Sequence, residues 1–395
     1  MDKRGQVKIF SYGLSAIVIT HALVHSAGNI TSTLYPILKE EFVLTNQQIG
    51  LIAAIPPLVQ ALLSIPAGHM SDRYGVKKLI ALSIAMGGIG ALIAGFTINP
   101  WMYIVAATLL TLNSTIYHPS AHSYTVRLVE KKDQAKALGF LNAGGTFGIA
   151  IGPLSITILM GWLSLTWRQL YLFWIGPIVL GFFILYFIKI ESLVEDSKEK
   201  DEGLNKVKET KSFISRNFLL YISSRGIRMF GVSMVGTFIS VYLIEVRNWS
   251  IPEIGVLFGI SSLLGLVASP IGGLIASKLG EKRFAIYSFA LGYACLLGAF
   301  FTTDVIPFMV LYLTYRFCGI LGMPAMASLT AQLSPSNQMG MGFALSFMPS
   351  NITGVIAPII AAWIADTYGL LQIFIVATIV MYLALIILKL GVHIK

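Results

Sequence analysis

The chain has 395 residues, of which 56% are hydrophobic and only 12% charged. Soluble globular domains carry roughly 25% charged residues, so this composition excludes a water-soluble globule. A net charge of +10 is compatible with binding to nucleic acid or to a membrane surface, and its distribution along the chain decides between them.

Twelve apolar runs, each long enough to cross a bilayer as a helix, are separated by short polar breaks. In chain order the predicted spans are 10–38, 46–70, 79–97, 100–127, 137–161, 168–188, 213–245, 251–277, 284–302, 307–332, 340–365 and 370–389. The first run is long and carries His and Asn, so we interpret it as a retained span rather than a cleaved signal peptide. The sequence therefore predicts an all-α membrane protein with twelve transmembrane helices.

The basic residues lie on one side of this predicted topology. If both termini are cytoplasmic, the cytoplasmic segments hold twenty-one Lys and Arg, and the outside loops hold only Lys39, Arg168 and Arg247. This asymmetry follows the positive-inside rule. We therefore expect a multi-pass protein of the inner (cytoplasmic) membrane with both termini in the cytoplasm, and no nucleic-acid partner.

Short matching segments recur 205 residues apart. The matched positions are Ile49-Gly50 with Ile254-Gly255, Gly68 with Gly273, Gly75 with Gly280, Lys77 with Lys282, Pro119 with Pro324 and Pro153 with Pro358. One offset over several segments indicates an internal duplication, and six spans per copy make the repeats parallel. We predict an N-terminal six-helix bundle (1–188), a C-terminal six-helix bundle (213–395), and between them (189–212) a flexible cytoplasmic linker rather than a small folded subdomain.

A charged glycine turn, "GHMSDRYGVKK", follows the second span, and a degraded copy, "GLIASKLGEKR", follows the eighth. The first copy resembles the loop motif G-x-x-x-D-R-x-G-R/K-K/R of the major facilitator superfamily. That resemblance implies the two-bundle fold of the family and a cytoplasmic gate closed by charge pairing; a merely solvated turn is the alternative. The implied gating residues are Gly68, Asp72, Arg73, Gly75, Lys77, Gly273 and Gly280.

Span 5 carries "GGTFGIAIGP", in which Gly144, Gly148 and Gly152 share one helical face before Pro153. Small residues on one face allow close helix packing, and the pattern resembles the antiporter motif of drug/proton exporters. The stretches "THALVHSAGN" and "YHPSAHS" resemble the fosmidomycin-resistance branch of the superfamily. That branch often has an Asp where this chain has His25, so a carboxylate relay in span 1 is not expected.

Histidines are the predicted proton-coupling groups because an unperturbed imidazole titrates near pH 6.5. His21 and His25 share a face of span 1, and His118 precedes Pro119 in span 4, where it either handles a proton or substrate or bonds a carbonyl freed by the proline. His122 is expected at the interface. His21 and His25 alone lack an acidic or Cys partner, so no metal site is predicted from the sequence.

The predicted spans contain arginines but no carboxylate at mid-span. Buried Arg is costly without a counter-charge, so an anionic ligand is expected. The candidate substrate-binding residues are Arg225, Arg228, Arg316, Asn29, Asn113, Tyr117 and Asn142. For Arg316, a structural role is the open alternative.

These patterns predict a secondary transporter that moves a small organic anion, carboxylate or phosphonate/phosphate-like, by alternating access. The chain has no phosphate-binding G-x-x-x-x-G-K-[ST] motif, so the proton gradient is the expected driving force. The branch resemblance favours export over nutrient uptake; uniport or exchange, and efflux of non-anionic drugs, remain alternatives. An enzyme, a sensor, a resident cofactor and an oligomer are not expected.

Overall fold

The structure is a computed structural model that describes residues 12–74, 76–129, 133–187, 215–334 and 339–394. Within these ranges the chain forms fourteen α-helices, which combine into twelve membrane-length segments, and no β-strand. Ten of those segments are long and apolar enough to span a bilayer. The other two are α3 and α5, and α5 carries polar residues such as Asn113 and His118 along its length.

The helices run, in chain order, α1 Tyr12–Gly28, α2 Tyr35–Glu41, α3 Asn46–Tyr74, α4 Val76–Gly95, α5 Pro100–Leu128, α6 Gln134–Ile156, α7 Trp167–Tyr186, α8 Arg216–Glu245, α9 Ile251–Leu279, α10 Glu281–Phe301, α11 Val305–Leu321, α12 Met323–Leu333, α13 Met339–Tyr368 and α14 Leu370–Gly391. A 3-10 turn at Thr31–Leu34 joins α1 to α2, and a π-helical turn at Thr157–Trp162 extends α6.

Two spans predicted as single helices are interrupted. Span 1 breaks after Gly28, where the His25 carbonyl accepts both the Asn29 Nδ2 (2.7 Å) and the Asn29 backbone N–H (3.2 Å). Span 10 breaks at Gly322, two residues before Pro324. A proline lacks an N–H and its ring clashes with the carbonyl four residues earlier, which explains this second break.

The chain divides into two compact units. The first comprises Met1–Leu44, Ile55–Glu199 and Asn248–Ser262, and in it α1 packs on α6 while α4 packs on α5 and α7. The second comprises Thr45–Ala54, Lys200–Arg247 and Leu263–Lys395, and in it α8 packs on α13 and α14 while α10 packs on α11. The predicted linker, 189–212, lies outside the described residues, so the domain boundary there stays a prediction.

The three glycines of α6 face the backbone of α1 at one-turn intervals. A Cβ on Gly144 would lie 2.5 Å from the Val18 carbonyl oxygen, and Cβ atoms on Gly148 and Gly152 would collide with the backbone of Ala22 and Ser26. Real Cβ contacts essentially never fall under 3.0 Å. The side-chain-free face of α6 therefore sets how closely α1 approaches, and with it the position of every residue on α1.

Matched positions of the sequence repeat also make matching contacts. In the second unit, a Cβ on Gly50 would lie 2.9 Å from the Pro358 carbonyl oxygen. In the first unit, a Cβ on Gly255 would lie 2.6 Å from the Pro153 carbonyl oxygen. Gly50 with Gly255, and Pro153 with Pro358, are pairs related by the 205-residue offset. The duplication therefore preserves a glycine-on-proline helix contact.

Candidate functional site

Three imidazoles from two helices meet in the first unit. The ring centroids of His21 and His25 are 4.9 Å apart on α1, and that of His118 on α5 lies 5.1 Å from each. His122, one turn further along α5, stacks on His118 at 5.9 Å. We call His21, His25 and His118 the histidine cluster. The sequence placed His21 and His25 on one face; the packing of α1 on α5 adds His118.

Contacts from neighbouring helices fix the ring of His21. Its Nδ1 lies 2.7 Å from the carbonyl oxygen of Leu141 on α6, and its ring stacks on Tyr117 at 5.2 Å. A Cβ on Gly145 would fall 2.6 Å from Cε1 of this ring, so only glycine there leaves room for it. Because a carbonyl can only accept, Nδ1 carries the proton and Nε2 of the neutral ring presents a lone pair. Nε2 is buried without a partner among the described residues.

Tyr117 is a support for this cluster rather than an open binding group. It is fully buried, and its hydroxyl donates to the Ile17 carbonyl (2.7 Å) and lies 2.8 Å from the Thr20 hydroxyl. Both partners are on α1, so the bonds tie α5 to α1 beside His21. The predicted substrate contact of Tyr117 would require these bonds to open.

The His118 ring has no hydrogen bond to a carbonyl within the described ranges; its contacts are the neighbouring rings of the cluster, Tyr117 and His122. The alternative in which His118 satisfies a carbonyl freed by Pro119 therefore has no geometric support.

The three predicted asparagines lie in different surroundings. The Asn113 side chain is buried against Gly87, and its Nδ2 lies 3.4 Å from the Val24 carbonyl, so it joins α5 to α4 and α1. Asn29 is used locally at the end of α1. Asn142 is exposed on α6. The structure thus gives Asn29 and Asn113 packing contacts and does not bring the three amides together.

A second set of basic side chains lies in the second unit. On α8, Arg225 and Arg228 are only 5% and 6% exposed, although each carries a strongly basic guanidinium group. The Arg225 guanidinium lies 4.3 Å from the centre of the Phe347 ring, and that of Arg228 lies 4.7 Å from the Phe289 ring. Aromatic faces stabilise desolvated guanidinium groups by cation–π attraction. We call Arg225, Arg228 and Arg316 the arginine cluster.

Arg316 lies on α11 of the same unit and is half-buried. The Nε atoms of all three arginines are buried and unpartnered among the described residues. Arg228 additionally contacts two thioether sulfurs, those of Met229 (3.3 Å) and Met323 (3.6 Å). No carboxylate in the described part of the chain pairs with these arginines; the ion pairs there lie at helix ends, as with Arg168 and Glu41.

The predicted gating residues divide into those that the structure describes and those that it does not. Gly75, the surroundings of Gly68, and the side chains of Asp72 and Arg73 lie outside the described part of the chain. Charge pairing there therefore stays a prediction. Gly280 has a positive φ of 85°, which suits glycine at the turn into α10. Gly273 lies on α9, where a Cβ would meet Pro324 at 3.8 Å.

Lys77 and its repeat counterpart Lys282 make equivalent helix caps. The Lys77 Nζ donates to the Tyr186 carbonyl at the end of α7 (3.1 Å). The Lys282 Nζ donates to the carbonyls of Lys389 (2.8 Å) and Val392 (2.6 Å) at the end of α14. A cation at a helix C-terminus is favourable because it meets unpaired carbonyls and the negative end of the helix dipole.

Comparison with known proteins identifies the class of protein to which this fold belongs. The sequence matches the family model for the Major Facilitator Superfamily over residues 17–226 and again over 221–393. These matches cover nearly the whole chain, so the protein belongs to the major facilitator superfamily. It is therefore a multi-pass membrane transporter of the secondary type rather than an enzyme.

Relatives and solved structures lie at low identity. The chain is 23% identical to the fosmidomycin resistance protein of Escherichia coli K12 over 321 residues, 79% of this chain and 75% of that one. It is 23% identical to the multidrug resistance protein MdtG of Salmonella paratyphi C over 364 residues, 89% and 88% of the two chains. Its fold matches a bacterial homologue of the human lysosomal transporter Spinster, inward-facing and occupied, with a TM-score of 0.84 and 15% identity over 98% and 97% of the chains.

Several residues of the two clusters were not anticipated from the sequence. Phe289 and Phe347 are apolar residues in apolar helices. Nothing in their spacing distinguishes them from residues of the hydrophobic core. The Leu141 carbonyl is a backbone group and leaves no sequence signal. Gly145 directly follows Gly144, the first of the three glycines predicted to pack against another helix. That position was the single sign in the sequence that another residue approaches Gly145 closely.

Proposed function

We propose that this transporter carries a small organic anion, and that the arginine cluster binds its charged group. The supporting observation is that Arg225 and Arg228 are buried, and Arg316 half-buried, with no carboxylate partner among the described residues. An uncompensated buried cation is costly, and aromatic faces offset only part of the cost, about 0.5–2 kcal/mol each. An anionic ligand supplies the missing charge.

The chemistry of guanidinium favours carboxylate and phosphonate or phosphate groups. Arg presents planar, paired N–H donors that fit two oxygens at once. Phe289, Phe347 and the thioethers around Arg228 provide an apolar lining for the remainder of the ligand. The ligand class that fits is therefore an anion with an apolar body.

Export by alternating access, with exchange for protons, is the mode that we propose. Its support is the similarity to a fosmidomycin resistance protein and to a multidrug resistance protein. The positive-inside pattern supports an inner-membrane location with both termini cytoplasmic. Proton coupling through His21, His25 or His118 stays a prediction from the sequence, as does the monomeric state.

The experiment is a binding screen on the purified full-length protein. Thermal shift and calorimetry would compare benzoate, a small alkyl phosphonate, fosmidomycin and the lipophilic cation tetraphenylphosphonium. We expect saturable binding of anions that is lost in Arg225→Ala. Saturable binding of the cation with no response to carboxylates or phosphonates would overturn the anion proposal and favour efflux of non-anionic compounds.

The direction of transport needs a separate measurement in proteoliposomes. The orientation of the protein in the vesicles is determined by labelling its termini. A proton gradient that is acidic on the side opposite the termini should then drive the anion toward that acidic side. Accumulation on the side of the termini would indicate uptake, which is the competing function.

A further inference from the structure

We propose that the histidine cluster is a binding site for a divalent first-row transition-metal ion such as Zn²⁺. The inference is separate from the anion site, because the two clusters lie on different helices and in different units. One ligand atom from each of His21, His25 and His118 lies within 4.8 Å of the other two. Imidazole nitrogen is a preferred ligand of Zn²⁺, Cu²⁺ and Ni²⁺.

The spacing of the rings is that of a tri-imidazole centre. With metal–nitrogen bonds of about 2.0–2.1 Å and tetrahedral angles, three imidazoles bound to one ion have centroids about 5 Å apart. The three centroid distances here are 4.9, 5.1 and 5.1 Å, an almost equilateral triangle. The rings of His25 and His118 therefore need rotation about their side-chain bonds, and little movement of α1 or α5, to direct one nitrogen each toward the point that His21 faces.

His21 already has the arrangement that a metal-binding histidine requires. Such histidines donate their second ring N–H to a backbone carbonyl or carboxylate, which fixes the tautomer and orients the free nitrogen. The His21 Nδ1 is held by the Leu141 carbonyl at 2.7 Å. Its Nε2 lone pair is buried, and no described group donates to it, in a residue that is only 3% exposed. A buried lone pair without a donor is costly, and an ion at the cluster would satisfy it.

Packing alone does not account for the cluster. Three basic side chains from two helices share one small volume, where apolar residues would pack without desolvating any ring nitrogen. Gly145 is needed only because the His21 ring occupies the space in front of it. Three protein ligands leave the fourth position of a tetrahedral ion open for water or a ligand oxygen, as in Zn²⁺ sites that exchange their fourth ligand.

The test uses Co²⁺ as a spectroscopic substitute for Zn²⁺ on the purified, tag-free, full-length protein. Four-coordinate Co²⁺ absorbs visible light far more strongly than the six-coordinate hydrated ion, so titration reports geometry as well as affinity. We expect an absorption band that Zn²⁺ displaces at one equivalent and Mg²⁺ does not. His25→Gln and His118→Gln should each weaken binding by at least roughly 10–100-fold, the range that loss of even a supporting partner produces.

Two matched variants separate the site from other histidines and from misfolding. His122→Gln removes an imidazole that lies on α5 beside His118 but is not part of the histidine cluster. This variant should leave the Co²⁺ band unchanged. Gly145→Ala keeps all three imidazoles but displaces the His21 ring, so it should also weaken binding; Gly139→Ala on the same helix meets nothing within 4 Å and is its control.

Each alternative outcome overturns the proposal. A wild-type protein that shows no four-coordinate Co²⁺ band has no such site. A band that persists in both His25→Gln and His118→Gln belongs to adventitious surface ligands. Circular dichroism of each variant shows whether a lost band reflects a lost site or an unfolded protein. Binding of the anion selected by the screen is a second test of folding.

Discussion

The histidine cluster and the arginine cluster lie on corresponding helices of the two repeats, yet basic side chains are buried there in different ways. Helices α1 and α5 carry imidazoles, which can be neutral; a backbone carbonyl holds His21, and the three rings contact each other. Helix α8 carries Arg225 and Arg228, whose guanidinium groups lie against aromatic rings, and α11 carries Arg316. The two units therefore bury basic side chains of different chemistry at corresponding helices, imidazoles in the first and guanidinium groups in the second.

The two clusters also differ in what holds them. The first depends on the close approach of α1 to the glycine face of α6, since His21 and His25 are carried on α1. The second depends on side-chain contacts, since the rings of Phe289 and Phe347 come from α10 and α13. Backbone substitutions should therefore break the first cluster, and side-chain substitutions the second.

The largest effect is expected for Gly148→Ala. The added Cβ would meet the backbone of Ala22, which cannot move aside like the end of a flexible side chain. Overpacking of this kind costs about 1–3 kcal/mol or more. Thermal unfolding in detergent should show a clear fall in Tm, whereas the control Gly139→Ala, in open space, should be neutral or stabilising. Equal melting temperatures for the two variants would show that α1 and α6 are not held at this face.

The next effect concerns the anion site. Arg225→Ala, Arg228→Ala or Arg316→Ala should weaken anion binding roughly tenfold to a hundredfold, because a charge-assisted hydrogen bond contributes about 1.5–3 kcal/mol and about 1.4 kcal/mol is tenfold. Lysine at each position should restore binding only in part, because it lacks the paired planar donors of arginine. Calorimetry with the best anion from the screen is the measurement.

Stability measured beside binding decides the role of Arg316. If it holds α11 in place without touching the ligand, Arg316→Ala should lower Tm equally with and without the anion. If it binds the ligand, the stabilisation that saturating anion gives to the wild type should be lost while the ligand-free Tm changes little. Unchanged binding in all three alanine variants would remove the arginine cluster as the site.

The sequence was sufficient for features that depend on periodicity or local chemistry. Apolar runs predicted the twelve spans, the 205-residue offset predicted the repeat, and the four-residue spacing placed His21 and His25 on one face. It was insufficient where two helices meet. The contact of His118 with α1, and the burial of Asn113 against Gly87, depend on how closely two helices pack. The spacing of residues along one helix does not predict that distance.

Local breaks were missed for a related reason. The run 10–38 is predominantly apolar, so hydropathy predicts one helix, but α1 ends at Gly28 and a 3-10 turn at Thr31–Leu34 follows. In bilayers proline is tolerated inside helices, as Pro119 is within α5, so Pro324 could not be assigned as a break from its presence alone.

A smaller effect is expected from the rings that cover the arginines. Phe347→Leu keeps an apolar side chain but removes the aromatic face under Arg225, and should lower the free energy of unfolding by about 0.5–2 kcal/mol. A double-mutant cycle with Arg225→Met isolates the pair. The control, Phe301→Leu, changes a ring that is 69% exposed. A coupling free energy indistinguishable from zero would show that Phe347 contributes only apolar area.

The smallest effect tests whether the repeated lysines cap helices or gate transport. Lys77→Met and Lys282→Met should each cost about 0.3–1 kcal/mol, the usual contribution of a cation at a helix C-terminus. Lys78→Met, a change at an exposed neighbour, is the control for loss of charge alone.

Thermal unfolding and proteoliposome transport are measured on the same preparations. Capping predicts that Tm falls in both lysine variants and not in Lys78→Met, while the transport rate per folded molecule is unchanged. A normal Tm with altered transport would instead place Lys77 in the gate that the loop motif suggests.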